Sequence, residues 1–435
     1  MRYFSLNNRH QFVDFKEATL LGQAPDGGLY YPEYIPVWND DFIKNLKRKS
    51  KLEIGFDIMA PYVGNTIPEK ELYGIIEETL DFDFPLQPIS ENIYSLELFH
   101  GPTLAFKDVG ARFLSRCMGF FAEKQAKKII VLVATSGDTG GAVAGAFHNI
   151  PGTEVIILYP SGKVSPVQEK QLTALGGNIH ALEIEGDFDD CQKLVKMAFL
   201  DGDLKKNILL TSSNSINIAR WLPQQIYYAL AMTQWEYDHE PVVSVPSGNF
   251  GNLCAGLVAK QSGLPIGHFI AACNANDAFT SYINTGSYHP TSAVPTVSNA
   301  MDVGNPSNFA RILAMFRDNH DRLREAISSI SVSDVETLST MKAVSEAYQY
   351  ILDPHAAVAY KSLQDHLFRK PEQKGFILGT AHPVKFPAVV KSAVGHEPAL
   401  PESLGVLMKK QKTSRLIPPE YPKFKSTVIE IFKNV

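Results

Sequence analysis

Three short segments of this chain carry residue types that could do chemistry. In His100-Gly101-Pro102-Thr103-Leu104-Ala105-Phe106-Lys107-Asp108, a lysine sits among apolar residues at an expected helix start. Most lysines are solvated surface groups, and that is the commoner meaning of any single one. A lysine held in an apolar pocket has a lowered pKa and becomes a nucleophile for carbonyls. The second segment is Ser247-Gly248-Asn249-Phe250-Gly251-Asn252, whose Gly and Asn residues tolerate positive φ. Its backbone N–H groups can converge on an anion, and the helix expected from Leu253 points its positive end at the same place. No Walker lysine follows and no Gly-x-Gly-x-x-Gly is present, so a single phosphate monoester fits better than a nucleotide. The third segment, Ser136-Gly137-Asp138-Thr139-Gly140-Gly141, offers similar donors plus hydroxyls and a carboxylate. Either loop alone also reads as a tight strand-to-helix turn without a ligand. Together they suit a cofactor phosphate beside a substrate carboxylate. With a carbonyl-binding lysine, these are the parts of a pyridoxal-phosphate enzyme acting on an amino acid.

The elements that must position these loops recur along the chain. Apolar, β-branched runs predict strands at 129–134, 154–159, 179–184, 208–211 and 242–245. Helical patterns are expected at 142–147, 166–175, 188–199, around 220–235 and at 253–261. Strands apolar on both faces and alternating with helices imply a parallel sheet covered on both sides, an α/β protein. Both loops are expected at the carboxyl edge of one such sheet, where ligands bind. Residues 1 to about 85 read as a separate N-terminal unit with an amphipathic segment at 70–79. Residues 310–370 read as helical, and 400–435 as a basic, Pro-punctuated tail.

Composition excludes several classes. The chain has 435 residues, 45% hydrophobic and 20% charged, which is globular and long enough for two or three domains. Its net charge of −5 argues against nucleic acid as a partner. Four scattered cysteines form no Cys-x-x-Cys pair, so neither a disulfide scaffold nor a metal site is expected. The first residues lack a signal-peptide core and no apolar run approaches the length of a membrane span. A cytoplasmic protein with no membrane partner is expected.

The motifs resemble those of the threonine synthase family, within the fold type II pyridoxal-phosphate enzymes. The resemblance rests on 101–108, 135–140, 245–252, Leu378-Gly379-Thr380-Ala381-His382-Pro383 and Pro25-Asp26-Gly27-Gly28-Leu29-Tyr30. It implies two parallel-sheet α/β domains with the cofactor between them, plus an N-terminal domain. The expected boundaries are 1–85 for the N-terminal domain, 86–105 with 236–435 for the large domain, and 106–235 for the smaller one. Lys107 matches the lysine that bonds the cofactor, and Ser247, Gly248, Asn249, Phe250, Gly251 and Asn252 match its phosphate loop. Asp138 matches the position beside the phenolic oxygen, and Thr380 the hydroxyl facing the pyridine nitrogen. Ser136 and Thr139 lie in the loop expected to take the substrate carboxylate.

Asn214, Ser215 and Arg220 match a phosphate-recognition segment for O-phosphohomoserine. Arginine's planar fork suits a phosphate, with Asn and Ser as neutral donors, although a surface salt bridge is the plainer reading of one arginine. Lys163 is a further, weaker candidate. His355 and His382 read as packed rather than catalytic, and 299–302 carries no assignable role. The implied reaction is a β,γ-replacement giving L-threonine and phosphate from O-phospho-L-homoserine and water. Two alternatives stay open: a phospholyase releasing 2-oxobutyrate, ammonia and phosphate, or a non-catalytic α/β binding protein. A monomer or homodimer is expected.

Overall fold

Short antiparallel strands open the chain: β1 (Tyr3–Ser5), β2 (Asn8–Val13) and β3 (Tyr30–Pro32), with β1 in the middle. The computed structural model describes residues 1–123 and 127–433, so the end of the tail, 434–435, lies outside the described residues. After short helices at Phe15–Leu21 and Asp40–Asn45 and longer ones at Lys51–Val63, Glu69–Thr79 and Lys107–Ala122, the last two separated by β4 (Leu86–Pro88) and β5 (Ile93–Glu97), the α/β alternation begins. It runs through β6 (Ile129–Ala134), β7 (Thr153–Pro160), β8 (Ile179–Ile184) and β9 (Leu209–Ser212). It continues in β10 (Val242–Pro246), β11 (His268–Cys273), β12 (Ile327–Ser331), β13 (Gly375–Gly379) and β14 (Ser414–Ile417).

These strands form two large sheets. One has the order β12-β11-β10-β13-β5-β4 and is parallel except for β4; the other, β14-β8-β7-β6-β9, is parallel throughout. The expected loop pair on a single sheet is therefore corrected: the 135–141 loop follows β6 and the 247–252 loop follows β10, on different sheets. The rhythm of strand and helix is the same in both, so periodicity alone cannot mark where one sheet ends.

Side-chain alternation explains the layers. Ile129, Val131 and Val133 of β6 face one core, while Ile130, Leu132 and Ala134 face another. Val243 and Val245 of β10 and Phe376 and Leu378 of β13 join the first of these cores, while Val242 and Ile377 face a third. Period-2 strands buried on both faces thus give one core shared by both sheets and an outer core behind each. The helices Lys107–Ala122 and Gly251–Gln261 pass through the shared core on Val109, Phe113, Leu253 and Leu257. Each such side chain contributes about 1.5–3 kcal/mol by leaving water.

The tail departs from expectation. Placed with the large domain by sequence, it instead adds β14 beside β8, and Phe424 and Val428 of the following helix seal the smaller sheet's outer core. Its strand has only four residues at a sheet edge, with Arg415 and Leu416 exposed, which hides it in a charged, Pro-containing sequence. The 310–370 region is helical as expected but encloses β12, another edge strand, rich in serine. Among the described residues no helix is long and apolar enough to cross a membrane, and no cluster of His, Cys, Asp and Glu could hold a metal ion.

Candidate active site

Lys107 begins its helix where two chain segments cross. Ala105 bridges Ala381, and the Phe106 N–H donates to the Thr380 carbonyl at 2.9 Å. Thr380 is thereby a near neighbour of the lysine, and buried. Lys107 Nζ lies 3.7 Å from Asp138 Oδ2 and 4.9 Å from the Phe106 ring centre. Burial pushes its pKa down against the pull of Asp138, and the Lys385 and Arg220 cations push it further. Asp138 opens the helix Asp138–Phe147 and is itself buried. Its Oδ1 accepts from Lys385 Nζ and from Gln168 Nε2, both at 2.9 Å. Burial alone would raise this carboxyl, but Lys385 above all, and Lys107 when it is protonated, outweigh it and hold Asp138 well below the usual range.

The β10 loop presents a row of open N–H groups. The Ser247 N–H is taken by the Ala272 carbonyl, and its hydroxyl donates to Val245 O at 2.8 Å. The next N–H groups, of Gly248, Asn249, Phe250, Gly251 and Asn252, have no partner among the described residues. Phe250 sits at φ 60° and ψ 9°, a left-handed turn that curls this row around the helix N-terminus. The Phe250 ring is fixed by packing 4.6 Å from Phe279, and Asn252 Oδ1 accepts from Tyr227 and Tyr228. In the β6 loop, the Thr135 hydroxyl takes the Gly137 and Gly140 N–H groups at 2.9 Å. The N–H groups of Ser136, Asp138 and Thr139 stay open among the described residues, beside the Ser136 and Thr139 hydroxyls.

A second cationic donor set adjoins the first loop. Asn308 Nδ2 donates to Asn249 O and to Ser215 Oγ, each at 2.9 Å, joining the β10 loop to the 214–220 segment. Arg220 is buried against Gly110 of the Lys107 helix, with Nη1 unpartnered among the described residues; Asn214 Oδ1 is likewise buried and unpartnered. Burial pushes the Arg220 guanidinium down to about 10, so it stays a cation at neutral pH. A buried cation without an anion is costly, and a ligand phosphate would relieve it. Lys163 is exposed in the turn after β7 and touches none of these groups among the described residues. His355 Nδ1 lies 2.7 Å from Asp353 Oδ1 and its Nε2 accepts the Ala300 N–H; His382 accepts the Val384 N–H. Both are tied into structure.

A family model described as pyridoxal-phosphate dependent enzyme matches residues 85–378. Models described as threonine synthase N terminus and threonine synthase, C-terminal, match 2–80 and 356–428. The chain belongs to the threonine synthase family. A threonine synthase of Serratia marcescens is 42% identical over 423 residues, covering 97% of each chain. The crystal structure of threonine synthase from Escherichia coli aligns with a TM-score of 0.92 at 40% identity, covering 99% of this chain and 100% of that one. The structure of PLP-bound threonine synthase from Brucella melitensis gives 0.93 at 35% identity, covering 99% of both.

Pyridoxal phosphate, the family's cofactor, fits the donor set: a row of N–H groups open among the described residues for a phosphate, and a half-buried amine for an aldehyde. Two residues packed into this candidate site carried no assignment in the sequence. Gln168 closes a capping box, its Oε1 accepting the Ser165 N–H while its amide nitrogen holds Asp138. Ser165-Pro166-Val167-Gln168 was readable as a cap but not as an Asp138 partner. Arg311 is fully buried, spends its guanidinium on the Tyr30, Ser215 and Ile216 carbonyls, and lies 4.7 Å over the Trp221 ring. It locks the N-terminal unit to the 214–220 segment.

Proposed function

We propose that this chain is a pyridoxal-phosphate dependent enzyme that converts O-phospho-L-homoserine and water into L-threonine and inorganic phosphate. The observation that carries the reading is the second anion site, where buried Arg220 offers an unpaired Nη1 beside the Lys107 helix. An enzyme for an unphosphorylated amino acid needs one phosphate nest; this cleft has donors for two. Gly248, Asn249, Phe250, Gly251 and Asn252 would hold the cofactor phosphate through their N–H groups, on a turn braced by Ser247. Lys107 would bond its aldehyde, Asp138 lie beside its phenolic oxygen, and Thr380 meet its pyridine nitrogen. Bound there, the cofactor supplies an electron sink for negative charge on the substrate carbons.

The chain's own groups do the rest. Ser136 and Thr139, with the open N–H groups of their loop, hold the substrate carboxylate. Arg220, Asn214 and Ser215 hold its phosphate and stabilise the charge that grows as it leaves. Lys107, disposed by burial toward the free amine, takes the Cα proton. A Cβ proton is lost and phosphate departs with the Cγ–O bonding pair; Cγ gains a proton to become the methyl group, the hydroxyl of water joins Cβ, and Cα regains a proton, so that one water enters and one phosphate leaves. The four free, buried cysteines suit a reducing cytoplasm.

Product analysis with O-phosphohomoserine tests the reading. Threonine equimolar with phosphate is expected. Mainly 2-oxobutyrate and ammonia would make the protein a phospholyase, and no turnover by cofactor-loaded protein would leave a binding protein.

A further inference from the structure

Asp138 has two lysine neighbours, and they are not equivalent. Lys385 is fully buried; its Nζ sits 2.9 Å from Asp138 Oδ1 and donates to the Thr103 carbonyl at 2.8 Å. It rides on the short turn Pro383–Lys385, whose start is capped by the His382 ring nitrogen. Lys107 stands at 3.7 Å from the other carboxylate oxygen, beyond hydrogen-bond distance.

This matters because a buried carboxylate paired with a single lysine keeps that lysine protonated, and an ammonium is no nucleophile. Here the closer, better-bonded ammonium belongs to Lys385. The other charges around Lys107 are Arg220, of the same sign as Lys385, and the Asp353 carboxylate. Around Lys385 are also Asp108 and His382. Asp108 is occupied by the Thr103 N–H and hydroxyl, so it does not compete for Lys385 by a direct bond.

We propose that Lys385 is a positioning residue whose ammonium, seated on Asp138, takes over that carboxylate's charge so that Lys107 stands beside it as a free amine. The inference rests on the reading of Lys107 as the cofactor-bearing lysine. It assigns the two lysines opposite duties: Lys385 occupies the carboxylate, and Lys107 is left beside it.

The test uses the full-length chain stripped of cofactor. The rate at which acetic anhydride modifies Lys107, located by peptide mass spectrometry, is followed against pH. Lys385→Gln keeps hydrogen-bonding capacity but no charge, and Lys385→Met keeps neither. Both are expected to raise the apparent pKa of Lys107, cutting its modification at a fixed pH below that pKa by about tenfold for each pKa unit gained. Adding Asp138→Asn to Lys385→Gln is expected to bring the pKa back down. A role confined to packing would lower stability in all three variants without this rise and reversal. An unchanged Lys107 profile in Lys385→Gln with a native circular dichroism spectrum overturns the proposal. If the single variants do not fold, the wild type is compared with Asp138→Asn/Lys385→Gln, which removes the carboxylate and its partner together; the proposal expects nearly the same Lys107 pKa in the two, and a pKa lower by a unit or more in the double variant, the mark of a carboxylate charge that Lys385 had not taken over, overturns it as well. Borohydride reduction of the cofactor-loaded wild type separately reports which lysine carries the cofactor. A label on another lysine would sink the Lys107 reading itself.

Discussion

Gly110 lies flush against Arg220: a Cβ at Gly110 would collide with the Arg220 carbonyl oxygen and stand 3.1 Å from its Cδ. The helix that begins with Lys107 therefore rests on the short helix Ile218–Trp221, and this contact sets the distance from amine to guanidinium. The obstacle is backbone, so it cannot swing aside. Gly110→Ala should cost about 1–3 kcal/mol of stability through overpacking. Displacing Arg220 should also raise KM for the phosphorylated substrate about tenfold, while cofactor retention is kept. Thermal unfolding, steady-state kinetics and the bound-cofactor absorbance check this; an unchanged KM would separate Gly110 from the phosphate site.

Arg220→Lys keeps a cation but loses the planar fork and its several donors. Losing charge-assisted hydrogen bonds worth about 1.5–3 kcal/mol should lower kcat/KM roughly 10- to 150-fold. Inhibition by inorganic phosphate should weaken in parallel. Because burial brings the Arg220 guanidinium down only to about 10, its grip should not change across the neutral range. A variant with wild-type kcat/KM would remove Arg220 from the substrate site.

Gly248 faces a wall that cannot retreat. A Cβ there would lie 2.9 Å from Met301 Cα and 3.1 Å from the Ala300 carbonyl oxygen. The Ala300 N–H is held by His355, which Asp353 orients, and Asp302 is held by Asn274, Asn276 and Thr296. Segment 299–302, which carried no role in sequence, is thus a brace for the phosphate loop. Gly248→Ala should deform that loop and raise the dissociation constant of pyridoxal phosphate about tenfold, a loss of roughly 1.4 kcal/mol. Fluorescence titration of the stripped protein measures it, and unaltered affinity would mean the loop has room to shift.

What could be read from the sequence was local. The Gly and Asn residues of 247–252 pointed to the right loop but to the wrong residue for its left-handed turn, since within it only Phe250 has a positive φ; the all-apolar run of β6 reports burial on both faces. Lys385 could not be read. It reaches the Thr103 carbonyl across 282 residues, and in sequence it is one more lysine after a proline. Gln168 falls inside the helix expected at 166–175, but its bond to Asp138, 30 residues away, leaves no local trace. The division into two sheets escaped for the same reason: β9 pairs with β6 while β10 pairs with β11 and β13, and pairing partners are a tertiary choice.

His268, at the start of β11, gives the fold a sensitivity to acid. Its Nε2 lies 2.9 Å from the Ser328 hydroxyl, and its ring stacks on His366 with centres 5.6 Å apart. Burial, then His366 and Lys370, and last Lys260, push its pKa down to about 4, against the opposing hydrogen bond to the Glu325 backbone. The folded state therefore holds this ring neutral. Above about pH 6.5 the unfolded chain is neutral there too, and no stability is lost. As pH falls from about 6.5 toward 4, the unfolded chain takes a proton that the folded one refuses, and up to roughly 3 kcal/mol is lost. His268→Gln can still bond Ser328 but cannot titrate. Its urea midpoint should fall less steeply than the wild type's over that interval, whatever constant offset the lost ring stacking adds. Carboxylates titrating in the same interval affect both proteins alike and cancel in the difference. Parallel midpoint curves would place the acid sensitivity in other groups.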